Sequence, residues 1–572
     1  MPTAGRQTSG MKGSQPANSS RRMALIMGAI VFVPVLLDLL QGGTRAAFRY
    51  LAPDSFYYNT VARNIALNGS ISYDGHLPTN GFHPLWQATL AALYFVLHHL
   101  GLSESSYLVS NVLLSALLVA ASVTVLGQVA MASGRTLWSA ALLAPVGLYA
   151  VLILPAWLLM VDLRHLVLPT QGPFPLFGTA WSFVNGMESG FVLLFLALLG
   201  RALVKDVPFS SRRAATLAVL CLGMTLSRLD HVFFVVGVAV VLAMRNADSG
   251  TPHRLRSWGV FALCFLGPLL AYLLINRLYA GAAFPSSGAL KSTFPFPNAD
   301  NVRNLVTVVA GPWRDMLAPS RFYRAAQLVL PSLFAVAYLA RRGWRRTERD
   351  GLADFTTAVA VGTLLLAAYD FLFVPAFAMG HWYTPASIAF VSMAAVPAVR
   401  SLNRLTQSGV QRRPVWLGAL ATVGSALLCV MIFYFLQRRD GYHALYADLY
   451  LVDAPAARAF YGPQRPHLVE YDDGIVAFST AFPTMSGTGL AADREAAVAL
   501  TKGTLQELAL ERGFDRIASL VYLPSDETRQ GVPTGALPAM ALESIQRQLG
   551  LSHARFEFVA PSSRFCIIRV TQ

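Results

Sequence analysis

About eleven or more apolar blocks divide the chain, each near the roughly 20 residues a helix needs to cross a bilayer core of about 30 Å. The first runs from Met23 to Leu40, and comparable blocks recur to about residue 436. A segment inside lipid must satisfy its own backbone polar groups, which leaves helices or a closed barrel. A barrel would show short alternating segments instead. The expected fold class is therefore an α-helical polytopic membrane protein with about 11–13 transmembrane helices. Composition agrees, with 55% hydrophobic residues, 13% charged residues and a mean hydropathy of +0.49.

Residues 1–22 are rich in Ser, Gly and basic residues and end at Arg21 and Arg22. They read as a cytoplasmic tail before an uncleaved first span; a signal peptide is the rival reading, and no convincing small-residue cleavage site follows the apolar run. The net charge of +15 raises nucleic acid as a partner. Its basic residues, however, sit mostly between spans: Arg201, Lys205, Arg212 and Arg213; Arg245, Arg254 and Arg256; the cluster from Arg341 to Arg349; and Arg400, Arg404, Arg412 and Arg413. They read as positive-inside determinants, so no nucleic acid is needed. Of four cysteines, Cys221, Cys264 and Cys429 lie in apolar spans and Cys566 in a strand-like run, which suggests neither a disulfide nor a metal set.

Spans near 85–100, 107–131, 189–203, 214–227, 232–244, 258–276, 322–340, 355–377, 384–399 and 415–436 alternate with these basic loops. Segment 134–187 must then cross twice, or dip in and come back, with its interruptions at Pro145 and Pro155. The opposite, extracytoplasmic face collects the first outer loop (41–84), "NGMES", "SRLDH", the loop from about 278 to 321, "GHWYTP" and all of 437–572. The chain thus divides into the tail, a transmembrane domain over 23–436, and a C-terminal α/β domain. In that last domain "HLVEYDDGIVAF", "RIASLVYLP", "RFEFVAP" and "RFCIIRV" read as strands, and 492–512 and 538–550 as helices.

Polar residues gather on this outer face, and each has a bland reading. Asp54, before "SFYYNTVARNIALNG", suits a helix N-cap with Gly69 as the stop; a carboxylate at a membrane surface also suits a general base. In "TNGFHPLW", Asn80-Gly81 signals a turn, Pro84 a helix start, and Trp86 an interfacial anchor, which leaves Thr79 and His83 unexplained. Glu188 opens a span, where an acid favours the helix N-terminus. Arg228 and Asp230, beside His231, suit a structural ion pair, Lys291 a loop lysine, and His381, Trp382 and Tyr383 an interfacial turn. Recurrence of acids, cations and aromatics on one face asks for more than these separate accounts.

The order of Asp54, "DGHLPTNGFHPLW", "NGMESG", "SRLDH", "LYAGAAFPSSGALK", an aromatic outer turn and a terminal domain with "YDDGIVAF" resembles the integral-membrane glycosyltransferases of the C superfold. That group includes arabinofuranosyltransferases, aminoarabinose transferases, protein mannosyltransferases and oligosaccharyltransferases. The resemblance covers nearly the whole chain through short motifs. It implies a multi-pass protein of the bacterial plasma membrane with its C-terminal domain outside, acting in cell-wall biogenesis. The implied partners are a polyprenyl-phosphate sugar donor and a cell-envelope glycan, lipid or protein acceptor.

The resemblance further implies that Asp54 is the catalytic base. Many members carry two adjacent acids there, and this chain has Asp54-Ser55, which weakens the case for a metal in that loop. Lys291 and Arg228, with His381 and Tyr383, would hold the donor phosphate. Tyr57, Thr79, Asn80, His83, Glu188 and Asp230 would line the substrate pocket, and Asp472 and Asp473 mark the outer domain as acceptor-positioning or as a lid. No cofactor is assigned. The lack of a His/Cys cluster speaks only against zinc, and a divalent cation held by carboxylates stays open. The rival reading is a multi-span transporter or flippase, against which stand the lack of an internal repeat and the one-sided polar clustering.

Overall fold

The computed structural model describes residues 16–132, 184–205, 207–245, 252–303, 331–342, 351–374, 441–471, 474–520, 554–562 and 565–570. The chain is a helical multi-span membrane candidate with a C-terminal five-stranded mixed α/β region. Helices α1 (Pro16–Tyr50), α2 (Ser55–Asn68), α3 (Pro84–His99), α4 (Glu104–Ala132), α5 (Ser189–Val204), α6 (Ser211–Ser227), α7 (Val232–Arg245) and α8 (Pro252–Ala280) come first. Short α9 (Ser286–Lys291) and α10 (Ala299–Arg303) precede α11 (Gly351–Phe373), and residues 331–342 are also helical. Among the described residues, four stretches are long and apolar enough to cross a membrane: Ala24–Tyr50, Glu104–Ala130, Arg254–Ala280 and Gly351–Phe373. The expected crossings in 134–183, the spans 384–399 and 415–436, and the helix 538–550 lie outside the described residues.

The first span runs past its expected end at Leu40 to Tyr50, through a break at Gly43 (φ +52°). Burial explains the extension. Ala46, Ala47, Phe48 and Tyr50 are buried, while Arg49 and the Tyr50 hydroxyl turn back onto the buried carboxylate of Asp38 at 2.7 and 2.9 Å. An acid within an apolar run is costly, and this pairing offsets the cost. Helix α1 packs on α4, α4 on α5, α6 on α8, and α7 on α11.

The C-terminal region holds α12 (Gly441–Asp448), α13 (Ala454–Tyr461), α14 (Ile475–Thr480), α15 (Arg494–Lys502) and α16 (Leu505–Glu511). Its strands are β1 (Leu468–Glu470), β2 (Thr484–Ser486), β3 (Arg516–Leu520), β4 (Ala554–Val559) and β5 (Phe565–Val570), in the order β2-β1-β3-β5-β4. Strand β1 is parallel to both neighbours, and β5 is antiparallel to β3 and β4. Val469 sits between Met485 and Ile517 in this sheet, and all three residues of β1 are buried, as central parallel strands require.

Two readings change here. "HLVEYDDGIVAF" is strand only over Leu468–Glu470, and its apolar half is α14. Gly474, at φ +87°, turns the chain, and the Glu470 carboxylate accepts from the Val476 and Ala477 amides at 3.0 and 3.2 Å, so the segment coils instead of extending. The helix expected over 492–512 is two, because Gly503 at φ +75° ends α15 with a left-handed cap.

Candidate active site

Asp54 occupies the N-cap position of α2, and Gly69 ends that helix as expected, in a left-handed cap. The Asp54 side chain makes no capping bond. Its Oδ2 accepts from Lys291 Nζ at 3.3 Å instead. The preceding turn is held by other groups: Ser55 Oγ donates to the Ala52 carbonyl at 2.6 Å, and the Ala52 amide donates to Asn185 O at 2.8 Å. This second bond fastens the Asp54 turn to the "NGMES" segment.

Lys291 reaches Asp54 because Asn80 holds the loop before α9. Asn80 Nδ2 donates to the carbonyls of Ala282 and Phe284 at 3.0 and 3.1 Å, and its Oδ1 accepts from the Ser286 amide at 3.2 Å. Thr79 Oγ1 and Ser286 Oγ both donate to Ala492 O at 3.2 Å, which ties this loop to the C-terminal region. Gly81 is required by close approach, since a Cβ there would lie 2.1 Å from the Leu490 carbonyl oxygen. Thr79 and Asn80, expected along the pocket, are thus committed to backbone groups and frame it. Tyr57 turns toward the C-terminal region, bonding the Thr488 hydroxyl, with its ring 5.5 Å from Tyr73.

A second, deeper cluster gathers the other expected residues. Glu188 stands at the N-cap of α5 without capping it. It accepts from Arg228 Nη1 at 2.8 Å and from the Tyr58 hydroxyl at 3.3 Å, and His83 Nε2 lies 3.8 Å away. Arg228 Nε also donates to both oxygens of Asp230, at 3.1 and 3.0 Å, and His231 Nδ1 donates to Asp230 Oδ1 at 2.6 Å. Burial disfavours the charged Asp230 carboxylate, but Arg228 and His231 outweigh it and hold the group below the usual range. Burial, with Arg228 adding to it, pushes the His83 imidazole below its ordinary value, against the pull of Glu188.

Exposure separates the two clusters. The Glu188 and Arg228 side chains are 1% and 4% exposed, against 14% for Asp54 and 22% for Lys291. Of the two pairs, Asp54–Lys291 is the one an incoming molecule can reach, and Arg228 is shared by two acids. Tyr58, one turn beyond Asp54 on α2, belongs to the deeper cluster, its hydroxyl donating to Glu188 and accepting from the His83 amide. Among the described residues no three His, Cys, Asp or Glu side chains form a metal-holding group.

No protein-family model matches the chain, and no curated protein matches it. His381, Tyr383, Asp472 and Asp473 lie outside the described residues. Gly474, next to the last two, packs on the start of α2, where an added Cβ would lie 2.7 Å from the Tyr57 amide nitrogen. Trp86, expected as an interfacial anchor, is fully buried: it donates to Gly186 O at 2.9 Å and meets Phe191 edge-on at 5.7 Å.

Sequence reasoning passed over several residues that build this region. Tyr58 read as an interfacial aromatic, and its position one turn after Asp54 was the available signal. Asp370, in "AAYDFLF", is a lone acid in an apolar run and is 3% exposed. Arg63, buried on α2, donates to the carbonyls of Phe478 and Ala477 at 2.7 and 3.0 Å; nothing local marks it.

Proposed function

We propose that the chain is a membrane glycosyltransferase of the C-superfold kind, moving a sugar from a polyprenyl-phosphate donor to a hydroxyl of a cell-envelope acceptor on the outer face. The single observation behind this reading is the reachable Asp54–Lys291 pair. It brings a carboxylate freed from helix capping and a cation to one place, held by a framework of buried bonds.

The chemistry needs these two groups. An acceptor oxygen attacks the anomeric carbon while Asp54 takes its proton. The bond from that carbon to the phosphate oxygen breaks, and the electron pair leaves with the lipid phosphate. Lys291 meets the added negative charge, and no acid is needed to protonate so weak a base. Direct displacement of this kind inverts the anomeric configuration. Arg228, held between Glu188 and Asp230, shapes the site from behind.

The test uses membranes carrying wild type, Asp54→Asn or Lys291→Ala at equal insertion, given a panel of polyprenyl-phosphate sugars and crude envelope acceptor. Released polyprenyl phosphate is the readout. The expected result is transfer of one sugar by wild type, and loss of about 100-fold or more in each variant. Equal turnover in wild type and Asp54→Asn would remove Asp54 as the base.

A further inference from the structure

Two consecutive residues near the end of α11 have no part in the chemistry above. Tyr369 donates its hydroxyl to Ser292 Oγ at 2.9 Å, on the residue after Lys291. Asp370 is buried, and its Oδ1 has no hydrogen-bond partner among the described residues. Arg228 and Asp230 stand within electrostatic range of Asp370. Successive helical residues point about 100° apart, so α11 faces the Lys291 segment with one side chain and the Arg228 turn with the next.

Unpartnered atoms surround that same turn. His231 is fully buried with its Nδ1 committed to Asp230, and its Nε2 has no partner. His83 Nδ1 is a third buried atom without one. Buried acceptors without donors are costly, and a carboxylate oxygen is among the costliest. Arg228 already bonds Glu188 and Asp230. A group that both gives and takes hydrogen bonds suits a carboxylate oxygen beside imidazole nitrogens, and a hydroxyl does both.

We infer that Asp370 is a specificity-determining residue, accepting a hydrogen bond from a hydroxyl of the transferred sugar. The inference rests on the glycosyltransferase reading: with the phosphate at Lys291, the sugar attached to it lies toward the α11 end, where Asp370 stands one residue after the Tyr369–Ser292 contact. Asp370 binds and does not react, so its loss separates sugar recognition from phosphate recognition.

Purified wild type, Asp370→Ala and Asp370→Asn, each checked for a single folded species by size exclusion, are titrated in nanodiscs. The probes are polyprenyl-phosphate arabinose, polyprenyl-phosphate mannose and sugar-free polyprenyl phosphate. Asp370→Ala is expected to weaken the better sugar probe by about tenfold or more while leaving the sugar-free lipid unchanged. Asp370→Asn, which keeps an acceptor oxygen, falls between. Unchanged binding of every probe would mean that Asp370 holds only water, and would overturn the inference. Equal tightening of all probes would mark Asp370 as a mere repulsive charge, and equal weakening as a structural prop; either result overturns it too. Wild type that binds none of the probes removes the donor reading itself, and this inference with it.

Discussion

Asp54 and Glu188 hold the same local position, each the residue before a helix, and neither caps it. Their partners divide their roles. Glu188 meets an arginine in a dry setting, where removing one partner of a buried pair costs about 3–5 kcal/mol, so it belongs to the framework. Asp54 meets a lysine where solvent reaches, and is the acid the proposed reaction uses. His83 carries a pH signature of this framework. Its folded-state pKa lies below the ordinary imidazole value of about 6.5, so between the two the unfolded chain binds more protons. Stability is therefore lost as pH falls below about 6.5. The melting temperature of wild type should drop on acidification from about pH 7 to 5, and His83→Asn should flatten that slope. Equal slopes in both would show that His83 does not titrate in this window.

Among the elements, the "TNG" turn matters most, because it touches both the loop that delivers Lys291 and the C-terminal region. Asn80-Gly81 was legible as a turn and Pro84 as the start of α3, since those preferences are local, whereas Thr79 had no local account. Their partners were not legible, as Ala282, Phe284 and Ala492 are reached only after the chain returns. Gly81→Ala is expected to force the turn off the Leu490 carbonyl, lowering stability by about 1–3 kcal/mol and cutting transfer through a displaced Lys291. Thermal unfolding in detergent beside the transfer assay checks both; an unchanged melting temperature would show that the contact yields freely. The apolar run "GIVAF" was misread for a related reason. Four to six apolar residues fit strand or helix alike, and a distant packing partner, here α2, decides.

At the scale of the molecule, the C-terminal region is docked on α2 by named contacts. Arg63 sits 5.3 Å over the Phe478 ring, donates to two carbonyls of α14, and lies 3.5 Å from Glu104. Tyr73 bonds the buried Glu470, and α9 packs on α15. This docking places the sheet's loops against the start of α2, beside Asp54. Arg63→Ala removes the side-chain donor from the Phe478 carbonyl, at about 1–3 kcal/mol, while the Ala477 carbonyl still accepts from the Ala481 amide. Limited proteolysis should then release the C-terminal region faster than from wild type, and an unchanged cutting rate would mean the docking rests on other contacts.

The helical, many-span character and the mixed α/β end were determined by the sequence alone, because apolar length and periodicity belong to consecutive residues. The polar residues at the ends of the apolar blocks were legible for the same reason, since a charge beside an apolar block stands out wherever it falls. Tertiary structure alone decided which acid meets which cation. Asp54 finds Lys291 across 237 residues and Glu188 finds Arg228 across 40, and both acids began from the same helix-start signal. Pairing is a property of how the segments pack, and the local sequence around either acid carries no record of the partner that packing brings to it.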